Sequence, residues 1–199
     1  MKLNTKGKLA HIKKILLDFI PAFLGVLAAL LLNNWQQNAR DAAFIHSSIK
    51  SIYNDCQKNL SIIKSQLKHI ESHIDTINFY QTNNNLSIMD LLKKNEGLHI
   101  ETIRNTGWKI LEKSSLATNI NYETLSVLYE IDHSIDFLNF FVKTFSDKIY
   151  GTIENRLPEN KASCKMQLND IYNSYSNLEL NLIKLDSLVL KEYGKIIEK

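Results

Sequence analysis

Glycine and proline are scarce: the chain of 199 residues holds six glycines and two prolines. That shortage argues against a turn-rich sheet and for long helices, and no stretch alternates as a half-buried strand would. It also leaves no phosphate-cradling loop, neither GxxxxGK[ST] nor GxGxxG. Cysteine is rarer still. Cys56 and Cys164 make no CxxC pair and no zinc spacing. Whether the two pair depends on the redox compartment, which the sequence leaves open. Charge of one sign is lacking too. A net charge of +3 is too small and too dispersed for direct nucleic-acid binding. Against these absences, apolar residues make up 44% of the chain, enough for a buried core in one soluble domain.

The long hydrophobic run lies near the start. Residues 15 to 32 contain one ionisable group, Asp18. As a helix they rise roughly 27 Å, which just crosses a hydrocarbon core of about 30 Å. Trp35 and Arg40 follow where a membrane–water interface would lie. Asp18, Ala22, Gly25, Ala29 and Asn33 are spaced to share one helix face. Gly25-x-x-x-Ala29 is a small-xxx-small pair that lets a second helix approach closely. An acidic residue inside a span usually faces protein or water. The stripe therefore predicts self-association, with a polar line able to face a pore.

The leader, residues 1 to 14, is basic, with Lys2, Lys6, Lys8, Lys13 and Lys14. It has the form of a signal peptide, but the run is long for an h-region. The exit Asn33 to Arg40 also lacks a small-x-small cleavage site, which predicts an uncleaved anchor. The lysine excess ahead of the span predicts a cytoplasmic N-terminus and a body on the far side.

Beyond the span no helix breaker occurs before the Gln81–Asn85 run, so the anchor helix is expected to continue into the body. Its expected seam pairs His46, Tyr53, Leu60, Leu67 and Ile74 with Ile49, Cys56, Ile63, Ile70 and Ile77. A short helix from Ile88 to Lys94 should start at Ser87 and end at a left-handed Gly97. Another is expected over Ile100 to Ser114, burying Ile103, Trp108 or Gly107 beneath it, and Leu111. Asn119 to Asn121 offer N-caps for a long helix with Leu128, Ile135, Val142, Ile149 and Ile131, Leu138, Phe145, Thr152 as its seam. The aromatics Tyr129, Phe137, Phe140, Phe141 and Phe145 read as core. Leu157–Asn160 breaks the chain. A last helix from Ala162 to Ile197 carries Leu168, Tyr175, Leu182, Val189, Ile196 and Ile171, Leu178, Leu185, with Glu192 interrupting. The fold class is all-α: an N-terminal transmembrane helix (residues 15–34) continuing into an antiparallel bundle (residues 35–199) of three long and two short helices.

Candidate chemistry is sparse. Arg40 and His46 have the form R-x5-H, which resembles the motif of HEPN ribonucleases. There the pair would activate a ribose hydroxyl and stabilise the phosphorane. His69 and His73 stand at i, i+4 on one helix face, a spacing that can hold zinc or copper. Glu71 points elsewhere. Asp132, His133 and Asp136 lack a nucleophile in any recognisable motif. The composition and motifs predict no enzyme and no cofactor.

The stretch from Leu24 to Arg40, LGVLAALLLNNWQQNAR, resembles the opening of a family of small bacterial membrane proteins of unknown function, in which an apolar run ends in NNW. Asn105 to Thr118 and Asn121 to Leu125 resemble that family's middle segment. The layout is also similar to the membrane accessories of type VI-B CRISPR systems. That resemblance implies a single-pass protein of the bacterial inner membrane, assembling with copies of itself into a pore and acting with an RNA-guided nuclease in antiphage defence. It implies a body on the cytoplasmic side, opposite to the lysine bias. The alternatives are a passive tether or scaffold that binds a protein partner, or a HEPN-like ribonuclease.

Overall fold

The computed structural model describes the backbone of residues 5–151 and 156–197, and side chains from Phe19 onward within those ranges. Five α-helices carry the chain: α1 Thr5–Phe79, α2 Ile88–Lys94, α3 Thr106–Glu112, α4 Tyr122–Gly151 and α5 Lys161–Ile197. Short 3-10 turns lie at Ser115–Asn119 and Pro158–Asn160. No strand occurs among the described residues. The fold is all-α, as the scarcity of glycine and proline requires.

The chain divides into two compact units, Met1–Ile45 and His46–Lys199. In the first, α1 holds a window of mean hydropathy 1.4 with no residue buried. It is the one helix among the described residues long and apolar enough to cross a membrane. Pro21 sits inside it, removing one intrahelical donor, which lipid-spanning helices tolerate.

In the second unit the elements run up, down, up, down. The registers come from side-chain hydrogen bonds. Cys56 Sγ donates to Leu182 O at 3.3 Å, while Lys161 Nζ reaches Tyr80 O and Asn83 O, so α5 runs antiparallel to α1. Thr124 bonds Glu192, and Lys148 bonds Ser163, so α4 is antiparallel to α5 as well. The α2–α3 segment returns along α1, with Asn95 beside Ser72 and Thr76 and Gly107 beside Asp55.

On α1 the buried positions are Ser48, Ile49, Ile52, Cys56, Asn59, Ile63, Gln66, Ile70, His73 and Ile77. The isoleucine series is as its spacing predicts. Its companion is different. His46 is exposed and Tyr53, Leu60, Leu67 and Ile74 are half-buried flanks. The second strip of the seam is Ile52, Asn59, Gln66 and His73, a mostly polar line. Heptad spacing fits either series, and apolarity favours the wrong one. The polar series wins because it faces the irregular backbone of residues 98–105, whose peptide groups need partners.

That connector is the second correction. The expected helix over Ile100 to Ser114 begins only at Thr106. Asn59 donates from Nδ2 to Arg104 O at 2.6 Å and accepts from Arg104 N at 2.9 Å. The amide thus pairs both backbone polar groups of one residue, Arg104, which a helix would have satisfied internally. At Gly107 a Cβ would stand 2.6 Å from Ile52 N and 2.9 Å from Ser51 C, so α3 meets the α1 backbone directly. Trp108 and Leu111 are fully buried beside it.

The remaining boundaries follow local chemistry. Ser87 and Asp90 form a capping box at the start of α2, and hydrogen bonds from Ser87 hold the Asp90 carboxyl below its usual range. Glu96 and Gly97 both take positive φ, 65° and 81°, and Gly97 N donates back to Leu92 O. Asn121 Oδ1 accepts from Glu123 N at the start of α4. The ammonium of Lys161, only 2% exposed, sits on the last carbonyls after α1, where the helix dipole favours a cation.

The α4 and α5 seams are those the spacing predicts, with Val142 and Ile196 half-buried and Thr152 outside the described residues. Glu192 interrupts the α5 seam without strain because the buried Thr124 hydroxyl donates to it at 2.9 Å. The aromatics are a third correction. Of the set read as core only Phe145 is buried; Tyr129, Phe137 and Phe140 are at least half exposed and Phe141 is half-buried. Phe137 and Phe140 lie off the Leu138–Phe145 stripe, and helical angle outweighs side-chain type. Cys56 and Cys164 are free. Cys56 faces Leu182, so about 27 Å of α5 separates the two thiols. Burial pushes both thiols up to about 12.

Gly107→Ala is expected to destabilise the bundle by about 1–3 kcal/mol, despite the better helix propensity of alanine, because the added methyl meets backbone. Denaturant unfolding of the full chain in mild detergent measures this, with Gly25→Ala as the comparison, since nothing lies within 4 Å of a Cβ there. Equal stability of the two variants would contradict the α3–α1 contact.

Candidate functional site

The densest polar construction lies where α1 meets the turn after α2. Its parts come from two signals. On α1, His69 and His73 are one helical turn apart, which puts both rings on one face. Across from them, the left-handed Glu96–Gly97 turn swings the Gly97 carbonyl toward α1. His69 Nε2 lies 3.0 Å and His73 Nε2 3.1 Å from Gly97 O. The two Nε2 atoms are 3.3 Å apart, and the rings meet edge to face with centroids 4.7 Å apart.

His73 is 1% exposed, and its Nδ1 has no hydrogen-bond partner. Burial holds its pKa below the usual histidine range, and the neighbouring His69 lowers it further; the Gly97 carbonyl acts weakly the other way. Beside the pair, a groove of about 620 Å³ is lined by Gln66, His69, Glu96, His99 and Glu101, among others. Gln66 is 3% exposed, and its Oε1 is buried without a partner. Tyr175 is buried with its hydroxyl unpaired; burial, then Glu101, raise its pKa to about 12. Asn59, Gln66 and His73 recur every seven residues, a polar register inside an apolar one. That spacing is the signal that could have located the construction. Gly97, Glu96, His99 and Glu101 could not have been assigned to it from spacing, because the turn alone brings them there.

The other predicted residues stand as follows. Ala22, Gly25, Ala29 and Asn33 are all exposed on α1, and the Asp18 side chain lies outside the described residues. Trp35 is 71% exposed. Arg40 is exposed. His46 is exposed and borders a groove with Ser47, Lys50, Lys195 and Ile196, a set with no carboxylate to orient its ring. Asp132 pairs with Lys109 and Asn105, tying α4 to α3 rather than serving a nucleophile. His133, Phe137 and Phe141 border a shallow groove between α4 and α5. In comparisons with known proteins the chain matches no family model, no curated protein and no solved structure.

The His73 environment makes stability pH-dependent. A histidine whose folded pKa is depressed contributes stability that is complete above its unfolded value, about 6.5, and lost as pH falls from there toward the folded value. The full chain, in chelator-containing buffer, is therefore expected to lose thermal stability between pH 7 and pH 5. His73→Gln should show a shallower loss over that interval. An unchanged slope in the variant would show that His73 is not the titrating group.

Proposed function

We propose that this chain is a single-pass protein anchored in the bacterial inner membrane, working as a homo-oligomer whose contacts include the span. One observation carries the reading. From Phe19 to Trp35 every side chain is exposed, including Phe23, Leu24, Leu27, Leu30 and Leu31 on all sides of the helix. Among the described residues none of this window is buried. Apolar area of that extent needs lipid or another protein around it. On the face carrying Ala22, Gly25 and Ala29, the open space at Gly25 suits close helix approach.

In this reading the apolar helix segment tethers the helical bundle to the membrane. The proposed work is assembly and binding rather than catalysis. The resemblance to type VI-B accessories extends the reading to a ring that leaks ions during antiphage defence. The passive-tether reading draws on the exposed Phe137 and Phe140, a surface on which a protein partner could dock.

The test is particle mass of the purified full chain in mild detergent. Several copies per particle are expected for the wild type and fewer for Gly25→Leu and Ala29→Leu. Monomers in the wild type would remove self-association and leave the tether. If oligomers form, dye leakage from vesicles separates a pore, which Gly25→Leu should close, from an assembly that does not conduct.

A further inference from the structure

Two imidazole nitrogens and a carbonyl oxygen stand at mutual distances of 3.0, 3.1 and 3.3 Å around His69, His73 and Gly97. Hydrogen bonding explains two of these three contacts. Both rings can donate Nε2–H to one carbonyl, but the third contact then sets the two N–H groups against each other. If His73 instead carries its proton on Nδ1, that buried N–H has no acceptor, and the bare Nε2 faces the carbonyl lone pairs.

The spacing has another meaning. Ligand atoms about 2.1 Å from a zinc-class ion in tetrahedral array lie roughly 3.4 Å apart, and an ion that far from all three donors would sit about 1 Å out of their plane. The open side is the groove, where Glu96 and His99 stand on the wall. There too lies Gln66 Oε1, buried and without a partner. An unsatisfied oxygen at the edge of a polar groove is the acceptor that a metal-bound water would fill.

We propose that His69 Nε2, His73 Nε2 and the Gly97 carbonyl form a binding site for a divalent cation of the zinc class, completed on the groove side by water. Among the described residues no three His, Cys, Asp or Glu side chains stand together as ligands, so the third donor is backbone. Imidazole selects zinc, nickel and copper over magnesium and calcium. The ion would clip the Glu96–Gly97 turn to α1, and through it the connector that Asn59 holds at Arg104.

The experiment uses the untagged full chain in mild detergent, stripped with a chelator. Zinc chloride is titrated in competition with a chromophoric chelator, and cobalt substitution is followed by visible absorption. One zinc per chain is expected, with a visible cobalt band and a rise in Tm on zinc addition. In His69→Ala the affinity should fall at least about tenfold, the lower end of the loss seen when groups that merely support a metal ligand are removed. His69 is half-buried, so this variant decides the question even where His73→Asn does not fold. His133→Ala should bind as wild type does. The proposal is overturned if the wild type takes up no stoichiometric zinc, or if His69→Ala binds as tightly as wild type; the contacts then form a hydrogen-bonded latch only.

Discussion

The backbone between α2 and α3 has no secondary structure of its own, and the bundle depends on how its peptide groups are satisfied. A buried carbonyl or N–H without a partner costs about 1–3 kcal/mol. Here α1 supplies the partners from its side chains. Asn59 pairs both groups of Arg104, Asp55 accepts from Gly107 N at 3.0 Å, and the two histidines meet the Gly97 carbonyl. The connector is thereby held as a fourth, descending member of the bundle. Gly107 then lets α3 press directly on α1, which places Trp108 in the core and against Tyr129 of α4 at 4.9 Å between centroids.

The same arrangement explains why one face of α1 is polar where a long helical bundle would ordinarily be apolar. Against α5, α1 presents isoleucines and Cys56, and the contact is dispersion and water exclusion. Against the connector it presents Asn59 and His73, which hydrogen-bond Arg104 and Gly97, with Gln66 buried between them. Buried polar networks of this kind specify register, because a shift of one position leaves several groups unpaired at once. The functional proposals grow from two different parts of this molecule. The proposed anchor rests on apolar surface left exposed among the described residues, and the proposed metal site rests on polar surface that is largely buried.

Much of the fold is legible in the residues. The long apolar segment of α1 is visible because residues 15–32 carry a single ionisable group, Asp18. Helix α2 is visible to the residue, since Ser87, Asp90 and Gly97 each act within one turn. The α4 and α5 seams follow from spacing, and even Glu192 was visible as an interruption, though not its partner Thr124. The candidate site was half legible. His69 and His73 share a face by helical geometry alone, whereas their third partner is a carbonyl, which no side-chain pattern reports.

What the sequence by itself determined is therefore a set of local, angular facts: the three long helices, the bounds of α2, and which isoleucines and leucines line one side of each. Helical periodicity is a property of a segment and needs no neighbour. Tertiary structure alone decided which of two heptad series on α1 is buried, that residues 98–105 stay out of a helix, and that Cys56 and Cys164 lie too far apart to pair. Each of these turns on what stands opposite a side chain. Burial and hydrogen-bond satisfaction are relations between segments, and they acquire a value only once the partner is in place.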